Sequence, residues 1–460
     1  MRMTRRELVK QLAALAALGA AGSSGLARAA GRLRPIPWRN WSGGQLCLPA
    51  ARLAPATEAE LADLLKKTTG AVRAVGSGHS FSALVPTEGS IVSLANFTGL
   101  LAHDAASLQA EFGAGTRIAD MGEPLKSIGQ ALPNMADIDY QTLAGAISTS
   151  THGTGPKFGS YSSTVVGLRL VTAKGEVLDL DAQRQPELFN AARCSLGSLG
   201  VITRVRLQNR KAFRLRRKEW IGDTEELIQQ LPQLITQHAH FELNSLLHAN
   251  VSVATALDET TETQNLPKAG GGDGEAVGML EWVDRNFRNS PRMQATLLDF
   301  TARHLINFPP VVDDSWRVFA NVRDIRFNEM EYEVPAEAGP ACLREVLALI
   351  KSQNLHSFIP TEFRYVRGDD IPLSMFSGRD SCAISVHQAI DLDYHNFFAQ
   401  VEPIFWKYEG RPHWGKLHNL NAGQLSKLYP RFKEFTEIRA AMDPGGKFLN
   451  GHLRSILGVL

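Results

Sequence analysis

Cysteine is scarce and dispersed in this chain. Cys47, Cys194, Cys342 and Cys382 are the only four in 460 residues, and none falls in a Cys-x-x-Cys pair. The spacing excludes a zinc ribbon or a dithiol redox motif and leaves at most two disulfides. These thiols read best as small buried apolar residues, Cys194 above all, because it sits in a glycine-rich apolar stretch. An excess of charge of one sign is lacking too: 49 Lys and Arg against 47 Asp and Glu give a formal net charge of +2, which argues against a nucleic-acid partner. Among the thirteen histidines there is no His-Glu-x-x-His, and His238 and His240 form an isolated pair, so no metal is expected. There is no internal repeat, and no apolar run approaches the ~20 residues that cross a bilayer. With 44% hydrophobic and 21% charged residues, the composition is that of an ordinary globular protein, long enough for two or three domains.

The N-terminus is informative. Thr4, Arg5, Arg6 and the following Glu7 to Lys10 have the form of a twin-arginine export signal, with a moderately apolar Ala/Leu stretch behind it and a small-x-small cleavage site at Ala27-Arg28-Ala29. Residues 1–29 therefore read as a signal peptide. The expected setting is a bacterial periplasmic or secreted protein that meets the twin-arginine export machinery as a partner.

Two glycine- and hydroxyl-rich stretches follow. In the first, an apolar run from Ala71 to Val75 breaks into Gly76-Ser77-Gly78-His79-Ser80. Glycines there can take positive φ and present successive N–H groups to a pyrophosphate. It is not a Rossmann fingerprint, because Phe81 stands at the third glycine position, and no Gly-Lys-Ser/Thr makes it a P-loop. The second, Thr142 to Gly155, is read as a loop whose small residues let backbone approach a flat ring closely while hydroxyls bond its polar edge.

Together these stretches resemble the FAD-binding domain of the vanillyl-alcohol-oxidase superfamily, and within it the sugar-lactone oxidases and alditol oxidases. The Trp38–Gly44 segment and the closing Asp443–His452 segment add to the likeness, which runs from about Pro37 to the C-terminus. The resemblance implies an α+β fold: a two-part FAD-binding domain of the PCMH type over residues 37–211, an α+β substrate or cap domain over 212–410, and a segment, 411–460, that returns to the flavin. It implies FAD, covalently attached through His79, with Gly76, Ser77, Gly78, Ser80, Thr142, Gly145, Thr149, Ser150, Thr151, His152, Ile202 and Asn450 around it. A small residue near flavin C4a, here Ala136, is implied to govern access of oxygen.

Alternation along two further stretches supplies candidate chemistry. From Pro360 to Val366, period two puts Glu362 and Arg364 on one face of a strand. From Ser381 to Gln388 it does the same for Ser385 and His387. His413-Trp414-Gly415-Lys416 follows. By resemblance, Glu362, Arg364, His387 and Lys416 form the catalytic set. Cations such as Arg364 and Lys416 suit a developing alkoxide and a reduced flavin, and either Glu362 or His387 can take the hydroxyl proton. The expected activity is FAD-dependent oxidation of an aldonolactone or alditol with O2 as acceptor. The alternatives are a dehydrogenase passing electrons to a cytochrome or quinone and, in another class, a non-catalytic FAD-fold or carbohydrate-binding protein.

Overall fold

The computed structural model describes residues 36–265, 274–321 and 325–459. The export signal lies outside these residues. The polar composition of Asp258 to Gly274 predicts a surface loop, and its Gly270–Gly272 centre also lies outside the described residues. The start of that segment is not loop at all, because Asp258 to Thr260 complete the strand Val251–Thr260. Residues Pro37 to Leu460 make one compact unit.

Beside two two-stranded ribbons, the described residues of the first half form a three-stranded and a five-stranded sheet. A parallel sheet of three strands has the order Ala51–Leu53, Ser90–Ser93, Val72–Val75. The helix Glu58–Lys67 crosses over between its outer strands. Thr57 caps that helix by accepting from the Glu60 amide at 3.1 Å. The spacing of Thr57 and Glu60 predicts a capping box, of which only half forms, because the Glu60 carboxylate accepts from the Ala56 amide at 2.8 Å rather than from the cap residue. An antiparallel sheet of five strands follows, ordered Val177–Leu180, Val165–Val171, Val201–Gln208, Gln109–Gly113, Leu100–Asp104. Its first pair is the hairpin that the turn at Ala173-Lys174-Gly175 predicts.

From Arg214 onward the strands join a different, eight-stranded antiparallel sheet, so sheet membership changes at the position where the sequence divides the chain, near Lys211. Four of its adjacent strands matter most: His240–Ser245, Thr361–Val366, Ser381–Ala389 and Phe327–Pro335. Their register sets Glu242 opposite Arg364, Glu362 opposite Ser385, Ser385 opposite Glu331, and His387 opposite Glu329.

Period two then sorts the sheet into two unlike faces. Leu243, Phe363, Ile384, Val386, Met330, Tyr332 and Val334 form an apolar face within the main core, together with Leu343, Val346 and Ile350 of the helix Gly339–Ser352 and Val401 and Phe405 of Tyr394–Lys407. The opposite face carries Glu242, Glu362, Arg364, Ser385, His387, Glu329, Glu331 and Glu333, and it is buried as well except for the half-buried Glu242 and Glu362. A charged face shut away from water needs internal partners, and the site is built from those pairings.

Candidate active site

A cavity of about 1530 Å³, counting its mouth, is lined both by the first glycine stretch and by the charged face of the large sheet. Gly76, Ser77, Gly78, His79, Ser80, Thr142, Gly145, Thr149, Thr151, His152 and Ile202 all line it, and so do Glu362, Arg364, His387 and Lys416.

Two expected contacts are placed elsewhere. Ser150, at φ +55°, turns away and shares hydrogen bonds with Ser160 (2.9 Å) and Ser374 (3.1 Å). Asn450 caps the helix Gly451–Leu457, and its amide donates to the carbonyls of Ala83, Leu84 and Pro86. It therefore holds the chain just beyond the glycine loop and stands behind the cavity wall. The Thr142–Gly155 stretch also differs from its reading as a loop. Leu143–Ser148 is a short helix, with Thr142 as its cap accepting from Gly145.

The glycine loop packs closely on its neighbours. A Cβ on Gly76 would stand 2.1 Å from Thr142 Oγ1, and Gly78 has φ +69° with Trp38 at its back. Behind the loop, the buried Arg73 guanidinium donates to the carbonyls of Leu84, Leu196, Gly197 and Phe448, tying three distant segments to one strand. His79 itself is flanked by rings: Trp41 stacks on it at 4.8 Å, and Tyr140 lies parallel at 6.2 Å. Trp38 is a buried anchor as its position suggests, whereas Trp41 is half-buried and spent on His79. Burial, reinforced by the nearby Lys416 charge, pushes His79 down to about 4. The imidazole is therefore neutral at physiological pH, the form in which a ring nitrogen is a nucleophile.

The His413–Lys416 motif joins the two halves of the site. Phe81 N–H donates to the Gly415 carbonyl (2.7 Å), and Ser82 Oγ donates to the Trp414 carbonyl (2.6 Å). On its other side, His413 N–H and Leu417 N–H donate to the carbonyls of Glu331 and Glu329. Trp414 is fully buried, stacked on Tyr429 at 5.0 Å, with its indole N–H on the Leu373 carbonyl. These anchors fix Lys416, whose ammonium pairs with Glu329, stands 3.8 Å from Glu331, and lies over the Phe81 ring at 5.1 Å.

Arg364 lies between two carboxylates, Glu362 at 2.7 Å and Glu242 at 3.0 Å. Burial works against its charge, but Glu362 and Glu242 raise it well above its ordinary value, so it is a permanent cation. His387 donates from Nδ1 to the Pro360 carbonyl (3.0 Å) and turns Nε2 toward Glu329 at 3.5 Å. Burial opposes protonation of His387; the Glu329 charge outweighs it and raises the group.

Glu329 and Glu331 are cavity residues that sequence reading missed. The signal was present as glutamates alternating with Met330, Tyr332 and Val334. Such a pattern ordinarily marks the wet face of a half-buried strand, and only tertiary packing reveals it as interior. Two groupings of ligand-type atoms, His152-Glu331-His413 and Glu329-Glu362-His387, come within 4.8 Å. In each the carboxylates are already matched by protein cations: Glu331 by His152 at 2.7 Å, Glu329 by Lys416, and Glu362 by Arg364. We read both as ion-pair clusters.

Comparison with known proteins fits this geometry. Residues 49–181 match an FAD-binding domain, and residues 205–456, more than half of the chain, match the D-arabinono-1,4-lactone oxidase family. The chain belongs to that family. L-gulono-1,4-lactone dehydrogenase of Mycobacterium tuberculosis is 36% identical over 93% of this chain and 100% of its own length. L-gulonolactone oxidase of Mus musculus is 29% identical over 92% and 98%, and alditol oxidase of a Streptomyces species 26% identical over 91% and 98%. Among solved structures, cholesterol oxidase from Brevibacterium sterolicum superposes with a TM-score of 0.77 at 14% identity, covering 92% of this chain and 96% of the other. That likeness shows the fold. This member of the lactone oxidase family is thus an FAD-linked oxidoreductase acting on CH–OH groups.

Proposed function

We propose that the protein oxidises a carbinol of a sugar-derived lactone or polyol, with the flavin seated against the His79 loop and the substrate hydroxyl against Glu362, Arg364, His387 and Lys416. One observation carries this reading: both groups line the same cavity, and hydrogen bonds from Phe81 and Ser82 to the Lys416 loop lock them in register. FAD, when bound, supplies the hydride acceptor. The residues do the rest. Arg364 and Lys416 are fixed cations, and preorganised charge of this kind stabilises an oxygen that becomes negative as its proton leaves. His387, with Nδ1 spent on Pro360, offers Nε2 to take that proton, and Glu329, 3.5 Å from that same nitrogen, stabilises the imidazolium. Glu362 holds the Arg364 fork in place. A polyhydroxylated substrate suits this wall, because unfilled buried donors and acceptors penalise any ligand that lacks the matching hydroxyls.

Dioxygen is the acceptor we favour, because Ala136, which lines the cavity with its amide donating to Tyr161 Oη at 3.0 Å, presents only a methyl group to a small gas. The second reading, a dehydrogenase with a cytochrome or quinone acceptor, draws on the 36%-identical relative named a dehydrogenase. We further propose that residues 1–29 direct twin-arginine export to the periplasm or beyond.

The seat of the flavin is tested by acid precipitation. Wild-type protein denatured in trichloroacetic acid should keep its yellow, flavin-fluorescent material in the pellet, and His79→Ala should release it to the supernatant. Flavin that stays in the pellet of His79→Ala would place the link, and the ring, elsewhere.

A further inference from the structure

Behind the cavity wall stands a carboxyl group that the proposed reaction does not use. Glu333 is fully buried, and neither of its oxygens has a hydrogen-bond partner. Oε1 lies 3.7 Å from Nε2 of His152. That imidazole is doubly engaged: Nδ1 is 2.9 Å from the Gly153 carbonyl, and Nε2 is 2.7 Å from Glu331. Both neighbours are acceptors, so both ring nitrogens carry protons and His152 is an imidazolium neutralised by Glu331. The cations on the far side make no hydrogen bond to this carboxyl. Arg411 donates to the carbonyls of Leu428, Met375 and Ser377, and Arg379 to the backbone carbonyls of Glu333 and Glu409. Tyr429 Oη, the remaining titratable group facing this point, donates to the Pro412 carbonyl. An ionised Glu333 would therefore be a dry, unbonded charge beside the carboxylate of Glu331, an arrangement that strongly favours the neutral acid.

We propose that Glu333 is held as a neutral carboxylic acid and that its proton sets the charge of the His152–Glu331 pair on the cavity wall, coupling reduction of the bound flavin to uptake of a proton at Glu333. The inference rests on the flavin occupying the cavity that His152 and Glu331 line. Burial first, and then the neighbouring Glu331 charge, raise Glu333 to about 8 despite the opposing pull of His152. Below that pH the acid is neutral. Above it, the cluster carries one additional negative charge. Hydride arriving in the cavity brings a further negative charge, which repels the carboxylate, so above about 8, where Glu333 is ionised before reduction, it takes a proton from solvent as the cofactor is reduced. Glu333 acts through His152 and is a positioning residue. The sign for stability follows the same pKa. Folded Glu333 keeps its proton between about 4.5 and about 8 while the unfolded chain has lost it, so stability from this group falls as pH rises through that window. Glu333→Gln removes that slope.

Two measurements test the proposal. Infrared spectra of the wild-type protein, with and without flavin, should show a deuterium-sensitive carbonyl band of a protonated carboxyl. It should fade as pH rises through about 8 and be missing in Glu333→Gln. Because the titration is followed in the wild type, it stands whether or not the variant folds. The midpoint potential of the holoenzyme should steepen with pH above about 8, by one proton per two electrons, in wild type but not in Glu333→Gln. Absence of the band, or its survival in Glu333→Gln, overturns the neutral-acid assignment without touching the flavin seat. A band that titrates alongside a potential indifferent to Glu333→Gln overturns the coupling. Failure of the flavin seat itself shows separately, in the His79→Ala precipitation.

Discussion

Arg364→Ala is expected to lower turnover by roughly 100- to 1,000-fold, the usual cost of removing one preorganised donor from a developing oxyanion. The same change should destabilise the fold by about 3–5 kcal/mol, because it strips the cation from between Glu362 and Glu242 and leaves two nearly buried carboxylates facing each other. Burial already raises Glu242, with Arg364 holding it back, so without Arg364 one carboxylate of the pair should take up a proton instead. Arg364→Lys restores a charge without the planar fork, so it should recover most of the stability and little of the rate. Steady-state kinetics and thermal melts of the two variants separate these effects. Equal losses of rate in both, with stability rescued only by lysine, mark the fork as the catalytic feature.

Lys416→Met is the second large effect. Methionine keeps the stem length and apolar packing but removes the ammonium that balances Glu329 and approaches Glu331. Both acids are held below their ordinary range against burial: Glu329 chiefly by Lys416 and His387, Glu331 chiefly by its hydrogen bond to His152 and by Lys416. Without Lys416, Glu329 loses its main counter-charge and its titration moves upward, which also weakens its support of His387. Turnover should fall by about 100-fold or more on the oxyanion argument. The loss should be in kcat rather than in flavin content, because the loop itself is held by Trp414 and by the bonds from Phe81 and Ser82, none of which involves the ammonium. Flavin absorbance per mole of protein, read beside kcat, checks this. A variant that loses its flavin in parallel with its activity would make Lys416 a structural residue.

Much of this site was legible before the fold. Glu362, Arg364 and His387 could be placed because strand alternation is strict and the neighbouring apolar residues are unambiguous. The His413–Lys416 motif could be placed because a tryptophan and a glycine beside a lysine are hard to explain on a wet surface. Glu329, Glu331 and Glu333 could not. Their alternation with Met330, Tyr332 and Val334 is as clear, but whether the polar face of a strand meets water or another part of the protein is a tertiary fact. Asn450 and Ser150 err in the opposite direction: each sits within a segment that approaches the cavity, yet its own side chain is drawn into capping or hydroxyl bonds that no local pattern announces. Trp41 shows the same limit, since its stacking partner His79 lies thirty-eight positions away in the chain. At the level of elements, local rules sufficed for the Thr57 cap and the Lys174 turn. They failed for Leu143–Ser148, a short apolar helix set in the Thr142–Gly155 run, whose glycine, serine and threonine content has weak helix propensity; Thr142 caps it and Leu143, Ala146 and Ile147 pack into the core.

The most direct test of the whole account is anaerobic mixing of the purified holoenzyme with single aldonolactones and alditols while the visible flavin absorbance is followed. At least one of them should bleach the flavin in wild type, and Arg364→Ala should slow the bleaching by roughly 100- to 1,000-fold. Readmitting oxygen, or a cytochrome or quinone, should then restore the colour and identify the acceptor. A flavin that dithionite reduces but no lactone or alditol reduces would contradict the assignment of this cavity to carbinol oxidation of sugar-derived substrates.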